Sequence, residues 1–186
     1  MVPYFEFLNN RVDPNRMKKF LTIFFLIVAG VLHAQEWQSS FDAALNLAKK
    51  EDKPIVLVFS GSDWCAPCIR LKRNILDSEE FKSYASSHYV LYNADFPRKK
   101  KNQLPEDKSN VNKALAEKYN PKGYFPLVVV LDKDESVLGK TGYNVKASPK
   151  KYIATLNDFV KWKRSRSSYA ACFVCCLKDS WGKKML

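Results

Sequence analysis

Ile55-Val56-Leu57-Val58-Phe59-Ser60-Gly61-Ser62-Asp63-Trp64-Cys65-Ala66-Pro67-Cys68 is the stretch on which the fold turns. Its first five residues form a continuous apolar run of strand length, which suits a parallel strand buried on both faces. Ser60 to Asp63 then reads as a turn, and a helix is predicted from around Cys65 through Ile69, Leu71, Lys72 and Leu76. The two cysteines thus fall where a buried strand hands over to a helix. Two intervening residues set the sulfurs one helical turn apart, close enough to close a small disulfide ring. A helix N-terminus supplies unpaired N–H groups and a positive dipole end, both of which stabilise a thiolate. Cys65 lies at that end and is expected to be the more exposed, so it is assigned as the attacking thiolate, with Cys68 resolving the mixed disulfide. Haem attachment needs a histidine directly after the second cysteine, where this chain has Ile69. Structural zinc needs two further ligands, and His88 has no cysteine beside it; His88 reads as a solvated residue at the start of a strand.

Upstream, Ser39 or Ser40 is placed to cap a helix carrying Phe41, Ala44, Leu45 and Ala48, which ends at Asp52 to Pro54. Downstream, Ser78 to Phe81 opens a shorter helix, and Tyr89 to Ala94 reads as a second strand. A basic loop from Phe96 to Ser109 follows. Asn110 is predicted to cap a helix with Val111, Ala114, Leu115 and Tyr119, stopped by Asn120-Pro121. Leu127 to Leu131 is a third strand and Ser136 to Thr141 a fourth, joined by a turn at Asp132 to Glu135. Ser148-Pro149 starts a last helix whose face carries Tyr152, Ile153, Leu156, Phe159 and Val160. This order, α-β-α-α-β-α-β-β-α, predicts an α/β fold with a mixed sheet covered by helices on both faces.

The segment from Phe59 to Cys68 resembles the active-site segment of the thioredoxin-like family of secreted bacterial proteins. Asp95 to Lys100, Leu115 to Tyr119 and Gly123 to Pro126 resemble later segments of that family, and the likeness runs from about Trp37 to Lys163. The resemblance implies a thioredoxin fold and a redox-active disulfide between Cys65 and Cys68, the catalytic pair. It further implies that Pro126 is a cis-proline facing the CxxC. Trp64, Ala66, Pro67, Phe125 and Pro126 would then contact the client, the Phe125 backbone pairing with it like an added strand. Tyr124 is expected in the core. Thioredoxin proper keeps a buried aspartate in the strand before its CxxC. Val56 to Phe59 offers no acid here; Asp63 and Asp95 are nearby candidates that read more simply as turn and strand-end residues. The Ala66-Pro67 pair lacks a cation that would further stabilise the Cys65 thiolate, which favours a reductase or isomerase over a dedicated oxidase.

The 186 residues suit one domain with short appendages, and the apolar and charged fractions of 46% and 27% are those of a globular protein. A formal charge of +12 comes with no helix-turn-helix, zinc-finger or RNP pattern, which argues against nucleic-acid binding. From Met17, the expected start, Lys18 and Lys19 precede an apolar run from Phe20 to Leu32, then Ala34. That is the layout of a cleavable signal peptide, so residues 1–34 are assigned to an N-terminal extension and signal, and the mature chain to the periplasm or exterior of a bacterium. The run is thirteen residues, short of the roughly 20 a bilayer span needs; the alternative is an uncleaved anchor. Residues 35–163 form the domain and 164–186 a tail holding Cys172, Cys175 and Cys176. Five cysteines leave at least one without an intrachain partner. The tail reads as an extension prone to intermolecular disulfides, since no histidine or fourth cysteine completes a soft-metal site. Arg98 to Lys101 reads as a solvated charge run, the alternative being that it docks an acidic partner or an anionic membrane face. No cofactor or metal is expected. The partners are proteins bearing thiols or disulfides and a membrane-borne electron donor, with no stable membrane span in the mature chain. The alternatives are a non-catalytic thioredoxin-fold binding module and a thiol or metal chaperone serving cytochrome maturation or copper delivery.

Overall fold

The computed structural model describes residues 37–162. The expected N-terminal extension and signal over 1–34 and the cysteine tail over 164–186 lie outside the described residues. Helix α1 (Phe41–Glu51) is capped by Ser40, whose side chain accepts the Ala43 N–H at 3.1 Å. Strand β1 (Ile55–Ser60) leads into helix α2 (Ala66–Leu71), then a π-helical turn (Lys72–Leu76) and helix α3 (Glu79–His88). Strand β2 (Val90–Asp95), a 3-10 turn (Lys100–Asn102) and helix α4 (Glu106–Tyr119) come next. The hairpin of β3 (Leu127–Leu131) and β4 (Val137–Thr141) precedes helix α5, residues 149–162, with Ser148 accepting from Lys151 N–H at its start.

The sheet order is β2-β1-β3-β4, with β1 parallel to β2 and antiparallel to β3, and β3 antiparallel to β4. At the outer edge of β2, Trp37 adds an isolated parallel bridge to Leu91. Because side chains alternate along a strand, β1 serves two cores at once. Ile55, Leu57 and Phe59 pack with Phe41, Ala44 and Ala48 of α1 and Leu115 and Tyr119 of α4. Val56 and Val58 face the opposite way, onto Leu71, Ile75, Leu76, Phe81 and Ala85 and onto Tyr152, Ile153 and Leu156 of α5. Helices on both faces of a mixed sheet are what the element order predicted.

Three local expectations change. The helix after the cysteines does not run uniformly: Asp77 N–H donates to Lys72 C=O at 2.8 Å, five residues back, and widens the turn. The widening lets Leu71, Ile75 and Leu76 all reach the core, although the last two are adjacent in sequence. Helix α4 begins at Glu106 behind Pro105 with Glu106 and Asp107 in its first turn, so Asn110 is inside it and caps nothing. Its buried face is Asn112, Leu115 and Tyr119, leaving Val111 exposed. His88 closes α3 instead of opening a strand; it is solvent-facing as expected, stacked on Tyr84 at 3.9 Å.

Candidate active site

The turn between β1 and α2 is tight. Gly61 C=O accepts the N–H groups of both Trp64 (3.3 Å) and Cys65 (2.9 Å). Gly61 is buried against the Trp64 indole, and a Cβ there would come within 2.3 Å of the ring. The turn delivers Cys65 as the N-cap of α2, in extended conformation (φ −89°, ψ 96°), with Pro67 in the first helical turn. Cys65 and Cys68 are joined in a disulfide with Cα atoms 5.2 Å apart. The Cys68 N–H donates to Cys65 Sγ at 3.3 Å, as a hydroxyl or carboxylate would be served at an ordinary N-cap. Exposure does not distinguish the pair: each sulfur residue is 4% exposed in this oxidised form, against the expectation that Cys65 would be the more open. What distinguishes Cys65 is its capping position, where a helix N–H already points at its sulfur. Ala66 and Pro67 are exposed between them.

The Phe125–Pro126 peptide is cis, and Pro126 shares with Cys68 the lining of a cavity of about 500 Å³. Phe125 sits edge-on to Trp64 (5.4 Å between centroids) and to Phe96 (5.5 Å), so three aromatic rings meet beside Cys65. Tyr124, expected in the core, is 58% exposed. Its backbone is what is held: buried Asn120 accepts the Tyr124 N–H at 2.9 Å and donates to its C=O at 2.8 Å. Gly123 (φ +65°) makes the turn that allows this clamp. Asn120 therefore both ends α4 and shapes the approach to Pro126, a role that its reading as a helix stop did not include.

The two candidate acids part company. Asp63 is bound to the segment after β2: its carboxylate accepts the N–H groups of Arg98 and Lys99, both at 2.9 Å, and Asn102 Nδ2–H at 3.0 Å. The Arg98 N–H, with help from Lys99 and Asn102, holds the carboxyl below its ordinary range. Asp95 instead lines the cavity shared by Cys68, Ser60, Asn93 and Pro126. One Asp95 oxygen lies 3.1 Å from Ser60 Oγ and accepts the Ser62 N–H at 2.8 Å. Ser60 Oγ is also 2.8 Å from Asn93 Oδ1, so its single proton serves two acceptors. Strand β1 itself is apolar and buried from Ile55 to Phe59. Asn112, invisible as a site residue in the sequence, fixes this corner: its Nδ2–H donates to Asp95 C=O at 3.0 Å and its Oδ1 accepts the Tyr92 hydroxyl at 2.9 Å.

A curated protein of Chlamydia pneumoniae, disulfide bond reductase DsbH, is 39% identical over 108 residues, covering 58% of this chain and 63% of its own length. Thioredoxin-related protein DsbJ of the same organism is 27% identical over 106 residues, covering 57% of this chain and 30% of its own length. The chain thus spans less than two thirds of the curated relatives it matches. A solved structure of a DsbH oxidoreductase superposes with a TM-score of 0.63 at 34% identity, covering 69% of this chain and 85% of that one. The fold is a thioredoxin fold. The profile of the family described as Thioredoxin-like matches residues 36–133, more than half of the chain, and the chain belongs to that family.

Proposed function

We propose that this chain is an exported thiol–disulfide oxidoreductase that reduces or isomerises disulfides in other exported proteins. The observation that carries the reading is the closed Cys65–Cys68 pair at the start of α2, beside the cis Phe125–Pro126 peptide. The 39% identity to a protein named disulfide bond reductase supports the reducing direction, and the signal-like N-terminus supports export.

In the reducing direction, the Cys65 thiolate attacks one sulfur of a client disulfide. The client S–S bond breaks, one client sulfur leaves as a thiolate that takes a proton, and a mixed disulfide joins Cys65 to the other. The Cys68 thiolate then attacks Cys65 Sγ, forming the Cys65–Cys68 bond and releasing the second client thiol. Two electrons pass from the enzyme dithiol to the client, so a membrane-borne dithiol donor must return two. Cys65 is suited to the first step because its sulfur already receives the Cys68 N–H. We assign the Cys68 proton to Asp95, an assignment supported by its lining one cavity with Cys68, whereas Asp63 is occupied by the backbone beyond β2. Trp64, Ala66, Pro67, Phe125 and Pro126 form the contact surface for the client.

The test is the reduction potential of the Cys65–Cys68 pair in glutathione or dithiothreitol buffers, with Cys172, Cys175 and Cys176 replaced by serine so that one pair titrates. A value near roughly −270 mV supports a reductase, and one near about −120 mV reverses the direction in favour of disulfide formation. Absence of a reversible two-electron transition overturns catalysis and leaves a binding module.

A further inference from the structure

The run Arg98-Lys99-Lys100-Lys101 has the composition of a solvated charge cluster, but its backbone is fastened to the two residues that precede Cys65. Asp63 takes the N–H groups of Arg98 and Lys99 and the side chain of Asn102. Trp64 Nε1–H donates to Phe96 C=O at 2.7 Å, and the Arg98 guanidinium lies 3.8 Å above the Trp64 ring centroid. The 3-10 turn at Lys100–Asn102 completes the fold-back. All four cations are exposed, and among the described residues none of them enters an ion pair. The segment from Phe96 to Pro105 contains no acidic residue. The Asp63 carboxylate takes three N–H groups of this segment and interacts electrostatically with Lys99, leaving the Arg98, Lys100 and Lys101 charges outside any ion pair among the described residues.

We infer that residues 98–101 are a client-docking arm that selects polypeptide segments bearing Asp or Glu close to the reacting cysteine. The inference rests on the oxidoreductase reading and adds the class of client to it. A segment lying along Phe125–Pro126 with its sulfur at Cys65 passes the Trp64 ring, because Trp64 touches Phe125 and adjoins Cys65. Arg98 covers that ring, so the first charge such a segment meets is positive, and the three lysines extend the field outward. Charges arranged this way raise encounter rates with anionic partners and weaken with salt. An anionic lipid surface is the less suitable occupant: Arg98 is stacked on the active-site indole instead of being free to reach headgroups.

The experiment compares three substrates for the full chain: a neutral small-molecule disulfide and two cyclic disulfide peptides of matched sequence, one with Glu and one with Lys flanking the cysteines. The expected result is a kcat/KM ratio of about tenfold for the acidic over the basic peptide at low salt, collapsing toward unity in 0.5 M salt. The ratio falls in Lys100→Gln/Lys101→Gln and inverts in Lys99→Glu/Lys100→Glu/Lys101→Glu, with circular dichroism confirming the fold. If the neutral disulfide is reduced but the peptides are not distinguished, or the loop variants keep the wild-type ratio, the docking inference is overturned while the oxidoreductase reading stands. If the neutral disulfide is not reduced, the reading beneath it fails and the inference falls with it. Loop-dependent sedimentation with phosphatidylglycerol vesicles, without peptide discrimination, overturns it in favour of a membrane surface.

Discussion

Asn112→Ala is the substitution that best measures how the helix on one face of the sheet holds the redox corner. Asn112 is fully buried and bridges α4 to β2 by two bonds, from the Tyr92 hydroxyl at 2.9 Å and to the Asp95 carbonyl at 3.0 Å. Alanine deletes the amide and strands the hydroxyl of Tyr92, a residue 1% exposed, and the Asp95 carbonyl at the end of β2. Leaving a buried polar group unsatisfied costs roughly 1–3 kcal/mol, so two orphans predict a loss of about 2–6 kcal/mol. With a urea m-value of about 2 kcal/mol/M, the midpoint should fall by about 1–3 M. A cycle with Tyr92→Phe isolates the shared bond, because in the double variant the hydroxyl that alanine would have orphaned is gone. The double variant should therefore be less destabilised than the sum of the singles, by about 1 kcal/mol or more. Where the variant remains folded, turnover should also fall, since Asp95 holds Ser60 and Ser62, which line the same cavity as Cys68. A cost below about 1 kcal/mol, or strict additivity with Tyr92→Phe, refutes the bridge as an anchor.

Other perturbations separate the roles assigned to neighbouring residues. Cys68→Ser should accumulate a mixed disulfide with client at Cys65, visible on non-reducing gels, whereas Cys65→Ser should trap none; the opposite pattern exchanges the two roles. Asp95→Asn should slow release of the mixed disulfide about tenfold near pH 7, the deficit shrinking as pH rises past the free-thiol value of roughly 8.5. A deficit equal at every pH would make Asp95 a purely structural residue. Gly61→Ala must displace the Trp64 ring, costing about 1–3 kcal/mol by overpacking and loosening the Phe96 link; an unchanged urea midpoint contradicts that packing. Asp63 carries a lowered folded-state pKa, so its hold on the basic segment is complete above its ordinary value of 3.8 and is lost as pH falls through the lowered one. Protection of the Arg98 and Lys99 amides against exchange should drop in that acid window and not at pH 5, where amide exchange followed by NMR can be compared directly.

The parts of this molecule that could be read from sequence are those encoded by apolar rhythm and by local caps. β3 was expected at Leu127 to Leu131 and lies there, because an unbroken apolar run between turn residues has few other solutions. Ser40 and Ser78 each accept an N–H three residues on, a contact contained within four consecutive positions. The errors fall where a polar side chain takes a partner that apolar rhythm does not encode. Asn110 followed by Val111, Ala114 and Leu115 imitates a capped amphipathic helix, yet Asn112 is buried beside Leu115 in place of Val111, satisfied by Tyr92 and by the Asp95 carbonyl on a strand that precedes it. Tyr124 looked like a core aromatic because the sequence does not reveal that Asn120 grips its backbone and leaves its ring outside. The charge run at 98–101 is exposed as its composition suggests, but nothing local shows that Asp63, thirty-five residues before Arg98, binds its backbone. Burial of apolar surface is non-directional, so a periodic pattern is enough to specify it. Hydrogen-bond satisfaction is directional and obligatory, but it can be met by any partner the topology delivers. The Cys65–Cys68 pair was legible because its chemistry is written in adjacent residues. The groups around it (Asp95, Asn112, Asp63 and the basic segment) become part of the same site only once β1 and β2 lie side by side.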